Sequence, residues 1–471
     1  TLVAVAGDHG EALGEHGEST HGLLLYEATL RVPLLLRGPG LAAGQVVREP
    51  VSLADLAPTL AGLAGRPLAT LAPRGGRDLA RDLLAGSPPP AADLYAETEY
   101  PRSFGWAGLA ALRHGNWKLI SGPRPELYDL GADPAEARDR SAEDRRAAQA
   151  FAARLAGLRA GATEATAPAV DAETRSRLAS LGYVAPAALE PGPGSLRNPR
   201  EMVALFRAYE EAEGALLAGR AGEAARELAR LVDQDPDNPV FRGSLARARR
   251  DSGDLAGAVE LYRQAAAAAP RDPAVWYDLA VTLERAGRHR EALSAADRSL
   301  ALDAANPEAH NTRGLLLALA GQSEPARQAF ARALELDPRH AAAAGNLGNA
   351  LRALGRVPEA EAAYRRALAA APDYAEALNG LGALAVEARR PAEALPYFER
   401  ALALRPDQHE ARLNLAIAYE MAGDAPRALG AYRDFLARSR DDPNFAAQRR
   451  TARQLAARLA AGPARPASEG G

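Results

Sequence analysis

A short glycine-rich string near the amino terminus contains residue types that bind metal ions. Asp8 and His9 directly follow the apolar run Thr1–Ala6, which predicts a strand, and Gly7 and Gly10 flank them. Open α/β sheets place ligand-binding groups directly after strands, and glycines let an ion approach the backbone closely. A carboxylate oxygen beside an imidazole nitrogen is half of a divalent-metal site. The same residues also fit a simpler interpretation, in which Asp8 closes an Asx turn and His9 is a loop histidine.

The composition is that of a globular protein and excludes several classes of function. Of 471 residues, 47% are hydrophobic and 25% are charged, and the net charge is −3. Both signs of charge are spread along the chain, so the concentrated basic field of a nucleic-acid-binding protein is not expected. The sequence has no cysteine, which excludes disulfides, zinc–thiolate sites and a cysteine nucleophile within it. No apolar run approaches the roughly 18 residues of a transmembrane helix.

Residues 1–160 alternate short apolar runs with Gly/Pro turns, which predicts an α/β domain. The predicted strands are Leu2–Ala6, Val32–Leu36, Asp93–Glu97, Gly108–Leu112 and Trp117–Ile120. Helices are predicted over Leu53–Ala64, with Ser52 as its N-cap, and over Ala142–Arg159. The chain opens at Thr1 directly in an apolar strand, so we expect part of this domain to lie upstream. Residues 161–204 are rich in Pro and Gly and predict a linker with one ordered patch at Leu178–Val184.

From about residue 205 the sequence follows a period of 34 residues. A glycine recurs at this spacing, and Arg389 occupies the one slot that lacks it. Alanine follows each turn five residues later, a mostly aromatic position follows after nine, and proline often follows after seventeen. The turn glycines are Gly219, Gly253, Gly287, Gly321, Gly355 and Gly423. Glycine relieves the backbone between two helices, small residues permit close helix crossing, and proline ends the second helix.

This period and these residue types resemble the tetratricopeptide repeat. The resemblance predicts seven repeats over residues 205–442, forming an all-α solenoid of antiparallel helix pairs. Residues 443–471 then form a capping helix and a disordered tail. In this family the first helix of each pair lines a groove for peptides or partner domains. The groove candidates are Asp278, Glu284, Thr312, Asn346, Asn349, Arg352 and Asn414. Asparagine both donates and accepts, so it can hold an extended peptide backbone, although the same positions also fit a merely solvated helix face.

Residues 1 to about 145 resemble the sulfatases of the alkaline phosphatase superfamily. The strings that carry the resemblance are Gly7-Asp8-His9-Gly10-Glu11, Leu13-Gly14-Glu15-His16-Gly17, Leu25-Tyr26-Glu27, Arg31-Val32-Pro33-Leu34, Val51 to Thr59, Tyr95-Ala96-Glu97-Thr98, Asn116 to Ile120 and Glu126 to Leu130. The resemblance implies the carboxy-terminal part of an alkaline-phosphatase-like sulfatase fold. It also implies hydrolysis of sulfate esters with a bound divalent ion, usually calcium.

The resemblance assigns roles to three residues. Asp8 and His9 match the family's Asp-His-Gly motif, which implies that both are metal ligands. His21 stands where relatives place a lysine or histidine that touches the sulfate or the leaving oxygen. A histidine there can act as electrophile or general acid because it titrates near neutral pH. His16 lies in the same loop, and we expect it to be structural.

The sequence departs from the family at its nucleophile. Sulfatases attack with a formylglycine made from a Cys/Ser-x-Pro-x-Arg motif. Ser87-Pro88-Pro89 and Ser121-Gly122-Pro123-Arg124 come nearest, and neither completes that motif. The family's amino-terminal aspartates are also absent, so the formylglycine and the remaining metal ligands are expected only in an upstream part. On this basis the 471 residues alone are expected to be inactive.

Two interpretations of the whole chain therefore remain open. One is a metal-dependent sulfate-ester hydrolase joined to a repeat scaffold. Phosphonate or phosphate monoesters are close alternatives to sulfate esters as its substrates, because metal-centred sites of this kind act on tetrahedral anions. The other is a non-catalytic tetratricopeptide scaffold that binds a protein or peptide partner.

Overall fold

The computed structural model describes residues 1–66, 76–160 and 196–461. They form two compact units, Thr1–Leu261 and the described residues from Tyr262 onward. The predicted ordered patch Leu178–Val184 and the predicted tail Pro466–Gly471 lie outside the described residues. None of the helices in the described ranges is long and apolar enough to cross a bilayer.

The first unit contains two antiparallel sheets. The strands are β1 Val3–Ala6, β2 Leu34–Arg37, β3 Leu94–Thr98, β4 Leu109–His114, β5 Trp117–Ser121 and β6 Glu126–Asp129. β1 pairs with β2, with Val3 opposite Arg37, and β3 to β6 form a meander in chain order. All five predicted strands are present. β6 was not predicted, since its four residues carry two charges and no alternation.

Within residues 1–66 and 76–160, the α-helices beside these sheets are α1 Glu27–Leu30, α2 Leu56–Leu63, α3 Ala80–Leu84 and α4 Arg145–Ala160. A 3₁₀ turn over Leu53–Asp55 leads into α2, and the prediction that Ser52 is the N-cap is confirmed. The Ser52 hydroxyl accepts the Ala54 N–H at 3.1 Å, and the Asp55 carboxylate accepts the Ser52 N–H at 3.1 Å. This reciprocal pair is a capping box, which satisfies donors that a helix start leaves free.

Seven helix pairs and one last helix follow in the described ranges. They are α5 Pro199–Leu217, α6 Ala221–Gln234, α7 Pro239–Asp251, α8 Leu255–Ala268, α9 Pro273–Arg285, α10 His289–Leu302, α11 Pro307–Leu319, α12 Ser323–Leu336, α13 Ala341–Ala353, α14 Val357–Ala370, α15 Ala375–Glu387, α16 Pro391–Leu404, α17 His409–Met421, α18 Ala425–Arg438 and α19 Ala446–Ala461. Helices therefore occupy the whole of the predicted repeat region, as the 34-residue period indicates.

The turn between the two helices of each pair follows the predicted chemistry. The turn glycines have positive φ, such as +73° at Gly355, and Arg389 takes the same left-handed conformation at φ 55°. In the close crossing of α13 and α14, a Cβ added at Gly348 would lie 2.5 Å from the Tyr364 ring. Glycine is therefore required there because the aromatic side chain fills the space that a methyl group would need.

Helix α5 begins at Pro199, upstream of residue 205 where the predicted repeats start. Side chains cap first helices at a 34-residue spacing, at Asn238, Asp272, Asn306 and His340. The corresponding slot of the first repeat is residue 204, but α5 starts six residues upstream of the predicted boundary at 205. Asn198 caps α5 by accepting the Arg200 N–H at 3.1 Å, and Pro199 occupies the first helical position, which it suits.

The core of the first unit joins the four-stranded sheet to the first repeats. Tyr26, Phe104 and Trp106 from the α/β region belong to one buried cluster with Phe206 of α5 and Phe241 of α7. The Phe104 ring lies 5.5 Å from that of Phe206 in an edge-to-face arrangement, and the Trp106 indole N–H donates to Asp235 at 2.8 Å. Within this unit, the α/β region and the start of the repeats therefore share one hydrophobic core.

Candidate functional site

The loop after β1 holds Asp8 and His9 in an exposed turn. The His9 backbone N–H donates to Asp8 Oδ1 at 3.1 Å, and the Asp8 side chain is 88% exposed. Asp8 Oδ1 also lies 3.8 Å from His9 Nε2. Two ligands of one cation with bonds of about 2.2 Å have a separation of this size. This bond joins neighbouring residues, so it differs from an Asx turn, in which the aspartate accepts the N–H two residues further on. The exposed Asp8 carboxylate and His9 Nε2 are both available to an ion.

His21 lies directly beside His9, although twelve residues separate them in sequence. Their rings stack with centroids 3.8 Å apart and planes 25° apart. His21 Nδ1 is 2.6 Å from Glu11 Oε2, and His9 Nδ1 is 2.9 Å from the Gly10 carbonyl oxygen. Carboxylate and carbonyl oxygens only accept, so each Nδ1 carries a proton and each neutral ring keeps its Nε2 lone pair free.

Glu11 is the residue of this site that sequence reasoning missed. One ligand atom from each of His9, Glu11 and His21 lies within 4.8 Å of the others, so this trio could also hold a metal ion. Asp8 is not part of the trio. Glu11 was visible in the string Gly7-Asp8-His9-Gly10-Glu11, but only the folded loop places the Glu11 carboxylate on His21.

A second loop, Ala12–Leu24, carries His21 and is closed by backbone and side-chain contacts. The Ala12 N–H donates to the Thr20 carbonyl at 2.9 Å, and Thr98 Oγ1 donates to the Gly22 carbonyl at 2.5 Å. These bonds hold the backbone on both sides of His21. The backbone on either side of His21 is therefore held by its own loop and by the end of β3.

Glu18 belongs to this loop, and its side chain is buried. Glu18 is only 2% exposed, and its carboxylate accepts hydrogen bonds from the backbone N–H groups of Leu23 at 2.7 Å and Leu24 at 3.4 Å. Burial raises the pKa of Glu18 to about 7, and the nearby carboxylates of Glu210 and Glu11 add to the shift. A neutral Glu18 at slightly acidic pH therefore suits this environment better than an ionised one.

His16 and Lys118 have structural surroundings. The His16 ring stacks on Tyr26 at 3.5 Å, and its Nε2 lies 3.1 Å from the Ala135 carbonyl oxygen. Lys118 is 1% exposed, and its ammonium lies 3.1 Å from Glu27 and 2.8 Å from Glu136. Because both side chains are held by groups of the fold, neither is offered to a ligand.

The predicted groove residues lie on first helices of the repeats in the second unit. Asp278 and Glu284 lie on α9, and Thr312 lies on α11. Asn346, Asn349 and Arg352 lie on α13, and Asn414 lies on α17. All are half-buried except Asn349, which is exposed. The Tyr364 hydroxyl donates to Asn349 at 2.7 Å, and Arg352 pairs with Glu387 at 2.9 Å.

Two asparagine pairs link neighbouring first helices. Asn346 donates to Asn311 at 3.0 Å, and Asn414 donates to Asn379 at 3.0 Å. Asn311 and Asn379 were not predicted, but the 35-residue spacing within each pair was a usable signal. An amide that bonds its neighbour through one group still has further donor and acceptor capacity. These pairs therefore offer oriented amides that can bind a peptide backbone.

The described ranges thus define a helical-repeat protein joined to an α/β segment with a histidine–carboxylate cluster. Comparison with known families agrees with both parts. Residues 1–66 match the family model described as Sulfatase. Models described as Tetratricopeptide repeat match residues 209–273, 249–316, 307–340, 339–407 and 379–443. The chain combines a sulfatase-family segment with a tetratricopeptide repeat array.

Individual relatives match the first part of the chain. A choline-sulfatase of Rhizobium meliloti (strain 1021) is 37% identical over 141 residues, which are 29% of this chain and 26% of the relative. Arylsulfatase K of Rattus norvegicus is 34% identical over 149 residues, with 29% and 25% covered. The chain therefore spans about a quarter of the length of these curated relatives.

A solved tetratricopeptide repeat protein from Parabacteroides merdae ATCC 43184 resembles the helical part. It is 16% identical with a TM-score of 0.45, and the match covers 55% of this chain and 99% of that one.

Proposed function

We propose that the sulfatase-family segment contributes to a divalent-metal-dependent site that hydrolyses sulfate esters, and that the repeats bind a protein or peptide partner. The observation that carries the first part is the Glu11–His21 hydrogen bond beside His9, in a segment that matches the Sulfatase model. The similarity to a choline-sulfatase and to arylsulfatase K supports sulfate esters as the substrate class.

The donor atoms of the loop fit a divalent cation. Asp8 and His9 are the proposed ligands, and when bound the cation supplies positive charge that polarises the sulfate oxygens. Calcium prefers six to eight oxygen ligands, whereas imidazole suits transition metals. Calcium therefore requires oxygen ligands beyond Asp8, and a comparison of Ca²⁺ with Zn²⁺ tests the identity of the cation.

His21 is the proposed catalytic residue. Glu11 accepts a hydrogen bond from the Nδ1–H group, which orients the ring and fixes its tautomer, as a carboxylate does for a catalytic histidine in other enzymes. Nε2 of the protonated ring can then give a proton to the leaving oxygen of the ester. The Glu11–His21 pair therefore has the arrangement of an oriented general acid.

Metal binding by an active polypeptide that contains this segment tests the ligand assignment. We expect Asp8→Asn and His9→Ala each to weaken binding of Ca²⁺ or Zn²⁺ in isothermal titration calorimetry by about 10-fold or more. His289→Ala is the matched control, because this histidine is exposed on α10. The assignment is wrong if both variants keep the affinity of the unsubstituted chain. If Glu11→Gln and His21→Ala lose the ion while Asp8→Asn keeps it, the trio of His9, Glu11 and His21 is the metal site.

The role of His21 is tested by rates in an active polypeptide that contains this segment. His21→Ala is expected to keep the metal but lower turnover of sulfate esters by about 10²-fold. The loss should shrink for aryl sulfates with acidic phenols, because those leave without a proton. A loss that is equal for all leaving groups indicates an anion-binding role, and unchanged rates remove His21 from the site. Parallel assays with phosphate and phosphonate monoesters identify the preferred tetrahedral anion.

The proposed partner of the repeats is an extended peptide. The two asparagine pairs support this because oriented amides can hold a peptide backbone without reading its side chains. With a peptide selected from a random library, Asn346→Ala combined with Asn414→Ala should weaken binding at least 10-fold. Glu335→Ala is the control, since this residue is exposed on a second helix. Equal affinity in all three chains would place the peptide elsewhere.

A further inference from the structure

The first repeat helix reaches the loop that carries His21. Ser19 Oγ donates to Glu210 Oε2 at 2.8 Å, and Thr20 Oγ1 donates to Glu210 Oε1 at 3.2 Å. The two oxygens of one carboxylate thus hold two consecutive hydroxyls, and Thr20 is the residue directly before His21. About 190 residues of sequence separate the loop from this glutamate, so the contact exists only in the folded unit.

Helix α5 is held firmly enough to act as a support for the loop. Val203, Phe206 and Glu210 follow the i, i+3, i+7 spacing and lie on one face of the helix. Val203 and Phe206 are buried in the core shared with Leu23 and Leu24, at the end of the His21 loop. A Cβ at Gly17 would lie 3.0 Å from Val203, which shows how closely the loop and helix approach.

The amino-terminal end of α5 is fixed as well. The Arg200 guanidinium lies 2.6 Å from the buried carboxylate of Glu126, and the Ala107 N–H donates to the Arg197 carbonyl at 3.0 Å. The Arg200–Glu126 bond is charge-assisted, and such bonds are stronger than neutral ones. The backbone that carries Glu210 therefore has a defined position relative to the sheet.

We propose that Glu210 is a positioning residue for His21, so that the first repeat forms part of the support of the hydrolase site. This inference rests on the proposed role of His21 as the group that contacts the sulfate. The backbone bonds at Thr20 and Gly22 fix the chain on either side of His21, and the Glu210 carboxylate fixes the side of the loop that faces α5. Without that carboxylate the Ser19 and Thr20 hydroxyls lose their acceptor, and the loop is free to shift the imidazole away from Glu11.

The test compares Glu210→Ala, Glu210→Gln and Glu211→Ala in the full chain. Glu211 is the matched control, because it is the next glutamate on the same helix and its side chain is 74% exposed. The readouts are the NMR signals of the His21 ring, assigned from His21→Ala, and the affinity for inorganic sulfate in the presence of the divalent cation. Circular dichroism of each variant monitors the fold.

We expect Glu210→Ala to shift the His21 ring signals and weaken sulfate binding about 10-fold, the value of one charge-assisted hydrogen bond. Glu210→Gln should recover part of both, because its amide oxygen still accepts one hydroxyl. Glu211→Ala should change neither. Unchanged ring signals in both Glu210 variants overturn the proposal, as does an equal effect of Glu211→Ala.

A failure of the proposed function gives a different result. The His21 ring signals are read in the unsubstituted chain whether or not it binds sulfate, so they decide whether Glu210 positions His21 independently of the proposed function. If Glu210→Ala unfolds the first unit, Glu210→Gln provides the same comparison, since it keeps the size of the side chain and one acceptor.

Discussion

The burial of Glu18 predicts a specific pH dependence of stability. This carboxyl is 2% exposed, and its pKa is raised from the ordinary 4.5 to about 7. The folded state therefore binds the proton more tightly than the unfolded state does. Its stabilising contribution is fully present below pH 4.5 and is lost as the pH rises through 7, because ionisation then costs more in the folded chain.

The size of the effect follows from the shift. A pKa raised from 4.5 to about 7 corresponds to about 3 kcal/mol of stability, and most of this is lost between pH 5 and pH 8. Glu18→Gln keeps an oxygen that can accept the Leu23 and Leu24 N–H groups, but it cannot ionise. We expect this variant to be more stable than the unsubstituted chain by about 3 kcal/mol at pH 8 and by less than about 1 kcal/mol at pH 5.

The assay is urea unfolding followed by tryptophan fluorescence at several pH values. Trp106 and Trp117 report on the first unit, so Trp276 in the second unit is replaced by phenylalanine in every chain compared. At each pH, the free energy of unfolding of the Trp276→Phe chain is subtracted from that of the same chain carrying Glu18→Gln. The titration of all other groups contributes equally to both values and therefore cancels in the difference. Glu211→Gln is the exposed control. A difference that stays constant from pH 5 to pH 8 would refute the reasoning.

Two further predictions concern the repeats. Arg389→Gly should stabilise the second unit by about 1 kcal/mol, because Arg389 has φ 55° where the other turns have glycine. Gly355→Ala should destabilise the second unit by a similar amount, because alanine would then have to adopt positive φ. Thermal unfolding followed by circular dichroism measures both changes, and a lower unfolding midpoint for Arg389→Gly would contradict the backbone argument. Phe206→Ala should destabilise the first unit by about 3–5 kcal/mol, because this ring is 3% exposed in the core that the sheet and the first repeats share. If Trp106 and Trp117 report unchanged unfolding in urea, that shared core is not what stabilises the unit.

Local sequence patterns determined much of the fold because their causes are local. The 34-residue period fixed the helix pairs, since a turn that needs positive φ and a crossing that needs a small residue must recur in every repeat. Ser52 and Asp55 identified the start of α2, because a capping box involves neighbours in sequence. The Asp8-His9 string was likewise recognisable from residue types, whereas His21 was predicted only from the resemblance to the sulfatases.

The tertiary structure decided which of these residues meet. The repeat period predicted that the first helix starts at about residue 205, whereas α5 starts at Pro199 with Asn198 as its N-cap. The additional residues at the start of α5 include Arg200, which pairs with Glu126 of β6, and Val203, which packs in the core of the first unit. β6 is too short and too charged to be predicted, and its Glu126 is buried only because Arg200 and Tyr26 bind it. A buried charge needs such partners, and they come from distant parts of the chain.

The same reason applies to the candidate site. The sequence determined that Asp8, His9 and His21 lie in glycine-rich loops after a strand, because that pattern is contained in twenty-two consecutive residues. It could not determine that Glu11 binds His21 or that Glu210 holds the loop beside it. Hydrogen bonds of 2.6 to 3.2 Å depend on how the two loops and α5 pack together, and packing is a property of the whole folded unit.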